Sequence, residues 1–260
     1  MSNEIIQGLW IGKRLSVMEQ LSIRSFLAHG HSYHLYTYDD VGGVPPGTVL
    51  RDAREILPAE RIFRYAAYDT YAGFSNLFRY KLLLDRGGWW ADSDTVCLQP
   101  FDFDADYVIS SENNHVSTDM VNVGVMKAPP GSSLFAYAWE TCNAKDPGLL
   151  EWGEIGPRLA GAGVAKFGFQ SFVEKSAVFC PIDYADWETV LDGERQWSFG
   201  PETYAVHLWN ELWRRAGRDK DAMYPKQCLY ERLKQQYGLA PWTYSRWLRR
   251  IGEKLQLIPV

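Results

Sequence analysis

The chain has 260 residues, 46% hydrophobic and 23% charged, with a formal net charge of -5. That length and composition suit a soluble globular unit with a substantial core, and the acidic balance excludes a surface built as a whole to grip nucleic acid. No run of about 18 apolar residues exists, so no span of a bilayer is expected.

In chain order, Ile5 to Ile11 is an apolar run closed by Gly12, which predicts a first strand. Ser16-Val17-Met18-Glu19 has the spacing of a capping box, so a helix is expected from there towards His29. His31 to Tyr38 alternates β-prone residues and stops at Asp39-Asp40, a second strand, and Gly42-Gly43 and Pro45-Pro46-Gly47 mark a loop. A strand–helix–strand opening points to an α/β fold. Gly73 to Asp85 carries apolar residues at helical spacing, and Gly87-Gly88 ends it as a C-cap. Trp89-Trp90-Ala91 is a short strand leading into Asp92-Ser93-Asp94. Strands are expected at Tyr107–Ser111 and Met120–Met126, a turn at Pro129-Pro130-Gly131, and helices at Ser132–Cys142 and Ile155–Lys166. Ala177–Cys180 reads as a strand, Lys226–Tyr237 and Trp242–Leu255 as helices. With no repeat or linker, one domain over 1–240 is expected, followed by an aromatic and basic tail over 241–260.

The four cysteines, Cys97, Cys142, Cys180 and Cys228, stand far apart, and the first thirty residues lack a leader's apolar core and cleavage site. Both features imply a reducing, cytoplasmic setting.

Asp92 and Asp94 are two residues apart at a strand end, so an extended backbone turns both carboxylates to one side. Two convergent carboxylates suit a hard cation, Mg2+ or Mn2+, with positions open for diphosphate oxygens. On the preceding helix Asn76, Arg79, Tyr80 and Leu83 share a face. Arg79 offers forked donors to a phosphate or sugar hydroxyl, or else pairs with a core acid while Tyr80 packs.

Phe74-Ser75-Asn76-Leu77-Phe78-Arg79-Tyr80 followed by Gly87-Gly88-Trp89-Trp90-Ala91-Asp92-Ser93-Asp94 resembles the DXD region of glycosyltransferase family 32, which includes bacterial polysaccharide-type transferases and yeast Golgi mannosyltransferases. It is also similar to the glucosyltransferase domains of large clostridial toxins. The resemblance implies a GT-A fold, a single Rossmann-like α/β/α unit, with a divalent metal (usually Mn2+), a nucleotide-sugar donor and retention of anomeric configuration. Leu9-Trp10-Ile11-Gly12 resembles the family's W-I-G motif, implying that Trp10 and Ile11 line the nucleotide, although Trp10 in a first strand equally suits the core. Asn122-Val123-Gly124-Val125-Met126 resembles the segment lining the sugar, and Gly156-Pro157 the family's G-P turn. Ala205-Val206-His207-Leu208-Trp209-Asn210 resembles the H-x-W motif, implying His207 as a metal or diphosphate ligand and Trp209 beside the donor. Asn76, Arg79, Tyr80, Asp92, Ser93, Asn122 and Trp209 complete the implied donor site, with Asp92, Asp94 and His207 holding the metal. The family often has Asp where Asn76 stands and Thr where Ile155 stands.

The implied partners are a UDP-sugar, or a GDP-sugar, and a glycan or lipid-linked acceptor. Retention needs either a carboxylate nucleophile, for which Asp119 is the one candidate, or a same-face attack assisted by the leaving phosphate, which is preferred. The tail 242–255, with Arg246, Arg249 and Arg250 among aromatic rings, suits contact with an anionic membrane face or packing on the domain. Two other readings remain at this stage. Asp92-Ser93-Asp94-Thr95-Val96 fits the loop of haloacid-dehalogenase-type phosphatases, and a non-catalytic sugar-binding module would use the same residues.

Overall fold

The computed structural model describes residues 4–113 and 117–239. β1 (Ile6–Trp10) leads through α1 (Val17–Ala28) to β2 (Tyr33–Thr37) and then β3 (Val49–Asp52). α2 (Ala72–Arg86) returns the chain to β4 (Gly88–Ala91), and β5 (Thr95–Cys97), β6 (Val108–Glu112) and β7 (Met120–Ala128) follow. α3 (Ser133–Asn143), α4 (Leu159–Phe167) and the short α5 (Ser176–Phe179) precede β8 (Ala205–His207), α6 (Asn210–Arg215) and α7 (Leu229–Gln236). The expected α/β fold is present, with boundaries shifted by a few residues. β3, β5 and β8 went unread because strands of three or four residues are too short to show a period.

Local chemistry explains the first unit. The N–H of Ser16 donates to the Glu19 carboxylate at 2.7 Å, so half of the predicted capping box starts α1. α2 ends at Gly87, whose φ of 63° suits glycine. A Cβ there would also lie 2.5 Å from the Pro130 nitrogen, so the turn at Pro130 packs directly on this cap.

The main sheet has six strands in the order β3-β2-β1-β4-β7-β6. β1 runs parallel to β2 and β4, and β2 to β3, whereas β7 is antiparallel to β4 and β6. The chain moves outward from β1 to β3 and then crosses back to place β4 on the other side of β1. That reversal opens a crevice beyond the carboxyl ends of β1 and β4, where ligands bind in open α/β sheets. The sequence that ends these two strands is Trp10-Ile11-Gly12 and Asp92-Ser93-Asp94.

Alternation along the strands divides the core. Tyr36, Trp90 and Met126 face α2, α3 and α4, while Leu35, Trp89 and Val125 face α1. A two-stranded antiparallel ribbon of β5 and β8 lies outside the main sheet and pairs Thr95 with His207. α1, α6 and α7 supply a third apolar cluster around Trp213 and Tyr230 beside this ribbon.

One expected strand is helical. Ala177–Cys180 lies in α5 and its end, where the Cys180 N–H donates to the Ser176 carbonyl at 2.7 Å. The β-prone Val178 and Phe179 are buried there, but the Asp119 carboxylate accepts from the Ser176 N–H at 2.7 Å and caps the turn. Among the described residues no helix is long and apolar enough to cross a membrane. The tail helix expected over Trp242–Leu255 lies outside the described residues, as does the second proposed unit, 241–260.

Candidate active site

β4 delivers Asp92 to the crevice, where its N–H donates to the Gly124 carbonyl at 2.7 Å. A tight turn follows, Thr95 N–H donating to the Asp92 carbonyl at 2.9 Å, and the chain enters β5 with Asp94 beside it. β8 brings His207 alongside through the Thr95–His207 pairing. Asp92, Asp94 and His207 each present one ligand atom, all within 4.8 Å of one another. His207 Nε2 lies 3.3 Å from Asp94 Oδ2, which also accepts from the Asn210 N–H at 2.7 Å.

Electrostatics reinforce this pairing. Burial opposes charge on both groups, yet the His207 charge, its hydrogen bond and the Asn210 N–H hold the Asp94 carboxyl below its ordinary value. Burial likewise lowers His207, but Asp94 outweighs it and raises the imidazole well above 6.5. Burial raises Asp92 against the opposing charge of Arg79, and the Asp94 charge adds to the rise. The folded chain therefore holds the His207 proton more tightly than the unfolded chain, whose imidazole titrates near about 6.5. This contribution to stability is complete below that value and is lost as pH rises through the higher folded value. The metal-free protein should melt at a lower temperature as pH rises from about 6 to about 9. His207→Gln should flatten that slope, and equal slopes for the two proteins would refute the assignment.

The donor set fits a divalent cation. Two carboxylate oxygens and one imidazole nitrogen converge, as Mn2+ or Mg2+ sites accept. A Cβ on Gly124 would crowd Asn122 Oδ1 at 2.8 Å and come into ordinary contact with Asp92 Oδ2 at 3.5 Å and His207 Cε1 at 3.7 Å, so glycine here leaves the space beside the cluster open. Cys180 Sγ lies 4.0 Å from His207 Nδ1 on the far side of the ring, and Trp209 packs on the imidazole with centroids 4.1 Å apart. Together they fix the ring so that Nε2 faces the carboxylates.

Several of the expected site residues have other roles. Arg79 is committed within the protein. Its Nη2 lies 2.9 Å from Asp92 Oδ1 and 3.1 Å from Ser75 Oγ, and its Nε donates to the Ser75 carbonyl at 3.3 Å. Its Nη1 donates to the Val123 carbonyl and lies 3.4 Å from Asp92 Oδ2. The fork thus orients Asp92, the pairing with an acid that is the second of the two readings of Arg79 in the sequence. Tyr80 is wholly buried, donates to the Gly156 carbonyl at 3.2 Å and packs near Phe135. Residues i+3 and i+4 point about 100° apart on a helix, so Arg79 and Tyr80 diverge. The Trp209 indole N–H donates to the Ile182 carbonyl at 3.0 Å, so Trp209 supports His207 from behind. Asp119 is exposed, and its carboxylate is held by the Ser176 N–H at 2.7 Å and by Ser111 Oγ at 3.4 Å. It caps α5 and is not among the ligands that converge on the cluster.

Other expected site residues border the crevice. Asn122 is buried, and its Oδ1 accepts from the Gly124 N–H at 2.6 Å. Asn76 is buried against Gly156, where a Cβ would lie 2.9 Å from Asn76 Nδ2. Ile11 and Ser93 are partly exposed at the ends of β1 and β4. Trp10 is partly buried, its indole nitrogen has no protein partner, and Lys220 Nζ lies 5.6 Å from its ring centroid. Glu112, which no sequence motif marked, ends β6 and accepts from Asn122 Nδ2. Burial raises the Glu112 carboxyl, opposed by the Asn122 hydrogen bond and the His207 charge.

Residues 18–115 match the family described as glycosyltransferase sugar-binding region containing DXD motif. Residues 18–115 are similar to a glycosyltransferase sugar-binding region. Its DXD is Asp92-Ser93-Asp94, inside the matched span, and the match bears out the resemblance seen in the sequence. It places the enzyme among the transferases and leaves the phosphatase and binding-module readings without support. No curated protein matches the chain. Among solved structures the chain is similar to the PaToxG glycosyltransferase, at 15% identity over 64% of this chain and 71% of that one, with a TM-score of 0.47. It is similar to the WbbM bifunctional glycosyltransferase at 12% identity, covering 94% of this chain and 51% of that one, TM-score 0.48. An active-site mutant of LgtC matches at 11% identity, covering 79% and 87% respectively, TM-score 0.45.

Proposed function

We propose that the chain is a metal-dependent, retaining glycosyltransferase that moves a hexose from a nucleotide-sugar, a UDP-sugar in first place, to a hydroxyl of a glycan or lipid-linked acceptor. The observation that carries this reading is the convergence of Asp92, Asp94 and His207 at the switch point of the sheet. These three residues would hold Mn2+ or Mg2+, which when bound neutralises the charge developing on a departing diphosphate. Arg79 fixes Asp92, and the Asn210 N–H, Cys180 and Trp209 fix Asp94 and His207, so the cluster is organised before substrate binds.

Trp10 and Ile11, at the end of β1, would form the wall for the base. Ser93, Asn76 and Asn122 lie on the sugar side. In the transfer, the bond from the anomeric carbon to the phosphate oxygen breaks and its electron pair leaves with the diphosphate. The acceptor oxygen forms the new bond on the same face, and its proton passes to the leaving phosphate oxygen. This route needs no protein nucleophile, which agrees with a carboxylate of Asp119 already engaged in capping. The carboxyl-terminal tail would add contact with a membrane face if the acceptor is lipid-linked.

The test is nucleotide release from a panel of UDP- and GDP-sugars with Mn2+. Slow release from one donor, stopped by EDTA, is expected. No release from any donor, together with no metal-dependent nucleotide binding, would end this reading.

A further inference from the structure

Three segments that border the site meet again at a cluster of rings and an arginine. α6 begins at the cluster, where the Asn210 N–H touches Asp94, and its six residues end at Arg215, about 9 Å along the axis. The Arg215 guanidinium carbon lies 4.4 Å from the Tyr68 ring centroid and 4.2 Å from that of Trp152. The two rings meet at 5.1 Å and 64°. Tyr65 backs Trp152 at 5.5 Å and packs on the first turn of α2, where a Cβ on Gly73 would sit 2.9 Å from its ring. Gly73 is three residues before Asn76. Trp152 is four residues before Gly156, which lies against Asn76 on the same wall.

The polar atoms here are only partly used within the protein. Arg215 Nε donates to Glu211 at 2.8 Å, while no acceptor among the described residues takes its Nη groups, and its side chain is 30% exposed. Tyr68 is 37% exposed. The Tyr65 hydroxyl behind Trp152 is buried without a hydrogen-bond partner. Apolar ring faces beside an arginine fork with free donors match a saccharide, which offers C–H faces and a rim of hydroxyls.

We infer that Tyr68, Trp152 and Arg215 form the acceptor subsite, binding a saccharide whose reacting hydroxyl points towards the Asp92–Asp94–His207 cluster. The inference rests on the transferase reading and names where that enzyme holds its second substrate. The subsite lies on the side of the cluster reached through α6, whereas Trp10 stands at the end of β1.

The experiment uses the native chain with Mn2+, the donor found in the panel, and mono- to trisaccharide acceptors. Two rates are measured, nucleotide release without acceptor and glycoside formation with it. Tyr68→Ala, Trp152→Ala and Arg215→Met are each expected to raise the acceptor KM about tenfold or more, as loss of a central anchor does. Release without acceptor should change far less, since none of the three touches the metal ligands. Release also reports folding. Where an alanine variant loses both rates, Tyr68→Phe and Arg215→Lys retain the packing, and Arg215→Lys should still raise the acceptor KM because it lacks the fork. An unchanged acceptor KM in all folded variants would overturn the subsite while leaving the transferase reading intact. No release and no transfer by the native chain would remove both.

Discussion

Asp94→Asn will reduce metal-dependent nucleotide release by about a thousandfold or more while the fold persists. The Asp94 carboxylate serves two purposes. Its Oδ2 accepts from the Asn210 N–H at 2.7 Å and lies 3.3 Å from His207 Nε2, so it anchors the start of α6 and the imidazole. It also supplies one of the two carboxylate charges of the proposed cation site. An asparagine oxygen can still accept the Asn210 N–H, so the start of α6 should survive. The charge does not, and losing about 4 kcal/mol of leaving-group stabilisation corresponds to about three decades of rate. Asp94→Ala removes both roles and should show the rate loss with a lowered melting temperature. Full activity for Asp94→Asn, or activity insensitive to EDTA, would contradict the role given to this residue.

Arg79→Met will destabilise the protein by about 3–5 kcal/mol, the range found when one partner of a buried ion pair is removed. The Arg79 side chain is 4% exposed, and its fork satisfies Asp92, the Val123 carbonyl, and both the hydroxyl and carbonyl of Ser75. A methionine fills much of the space but leaves the partly buried Asp92 carboxylate, 24% exposed, without its cation. Burial already raises that carboxyl, so it would take up a proton and lose its value as a ligand. Arg79→Lys restores a charge but not the paired donors, and should recover part of the stability and little activity. Denaturant unfolding of the three proteins measures the first effect, and Mn2+ binding the second. A loss below about 1 kcal/mol for Arg79→Met would show that the pair contributes no more than a surface ion pair.

What could be read from the chain beforehand follows from the range of each signal. α1 announced itself because Ser16 and Glu19 are three residues apart, and α2 because its apolar spacing ends at a glycine pair. Both are interactions within one or two turns. The adjacent carboxylates of the DXD were visible for the same reason. The strand expected at Ala177–Cys180 failed because its backbone is capped by Asp119, 57 residues earlier in the chain. For Tyr80 a shared helix face is too wide to set a direction, and only packing showed that it points to Gly156 while Arg79 points to Asp92. Glu112 carried no local signal, since its relation to Asn122 exists only through the pairing of β6 with β7.

The sequence by itself determined the class of fold and the positions of α1, α2 and β4, because propensity, capping and period act between near neighbours, whereas a tight turn, in place of the extended backbone expected there, brings Asp92 and Asp94 together. Only the tertiary structure decided that His207 stands beside Asp94, that the Arg79 fork belongs to Asp92, and that Tyr68, Trp152 and Arg215 share one corner. These contacts join residues far apart in the chain, and what brings them together is burial of the same core and completion of the same hydrogen bonds.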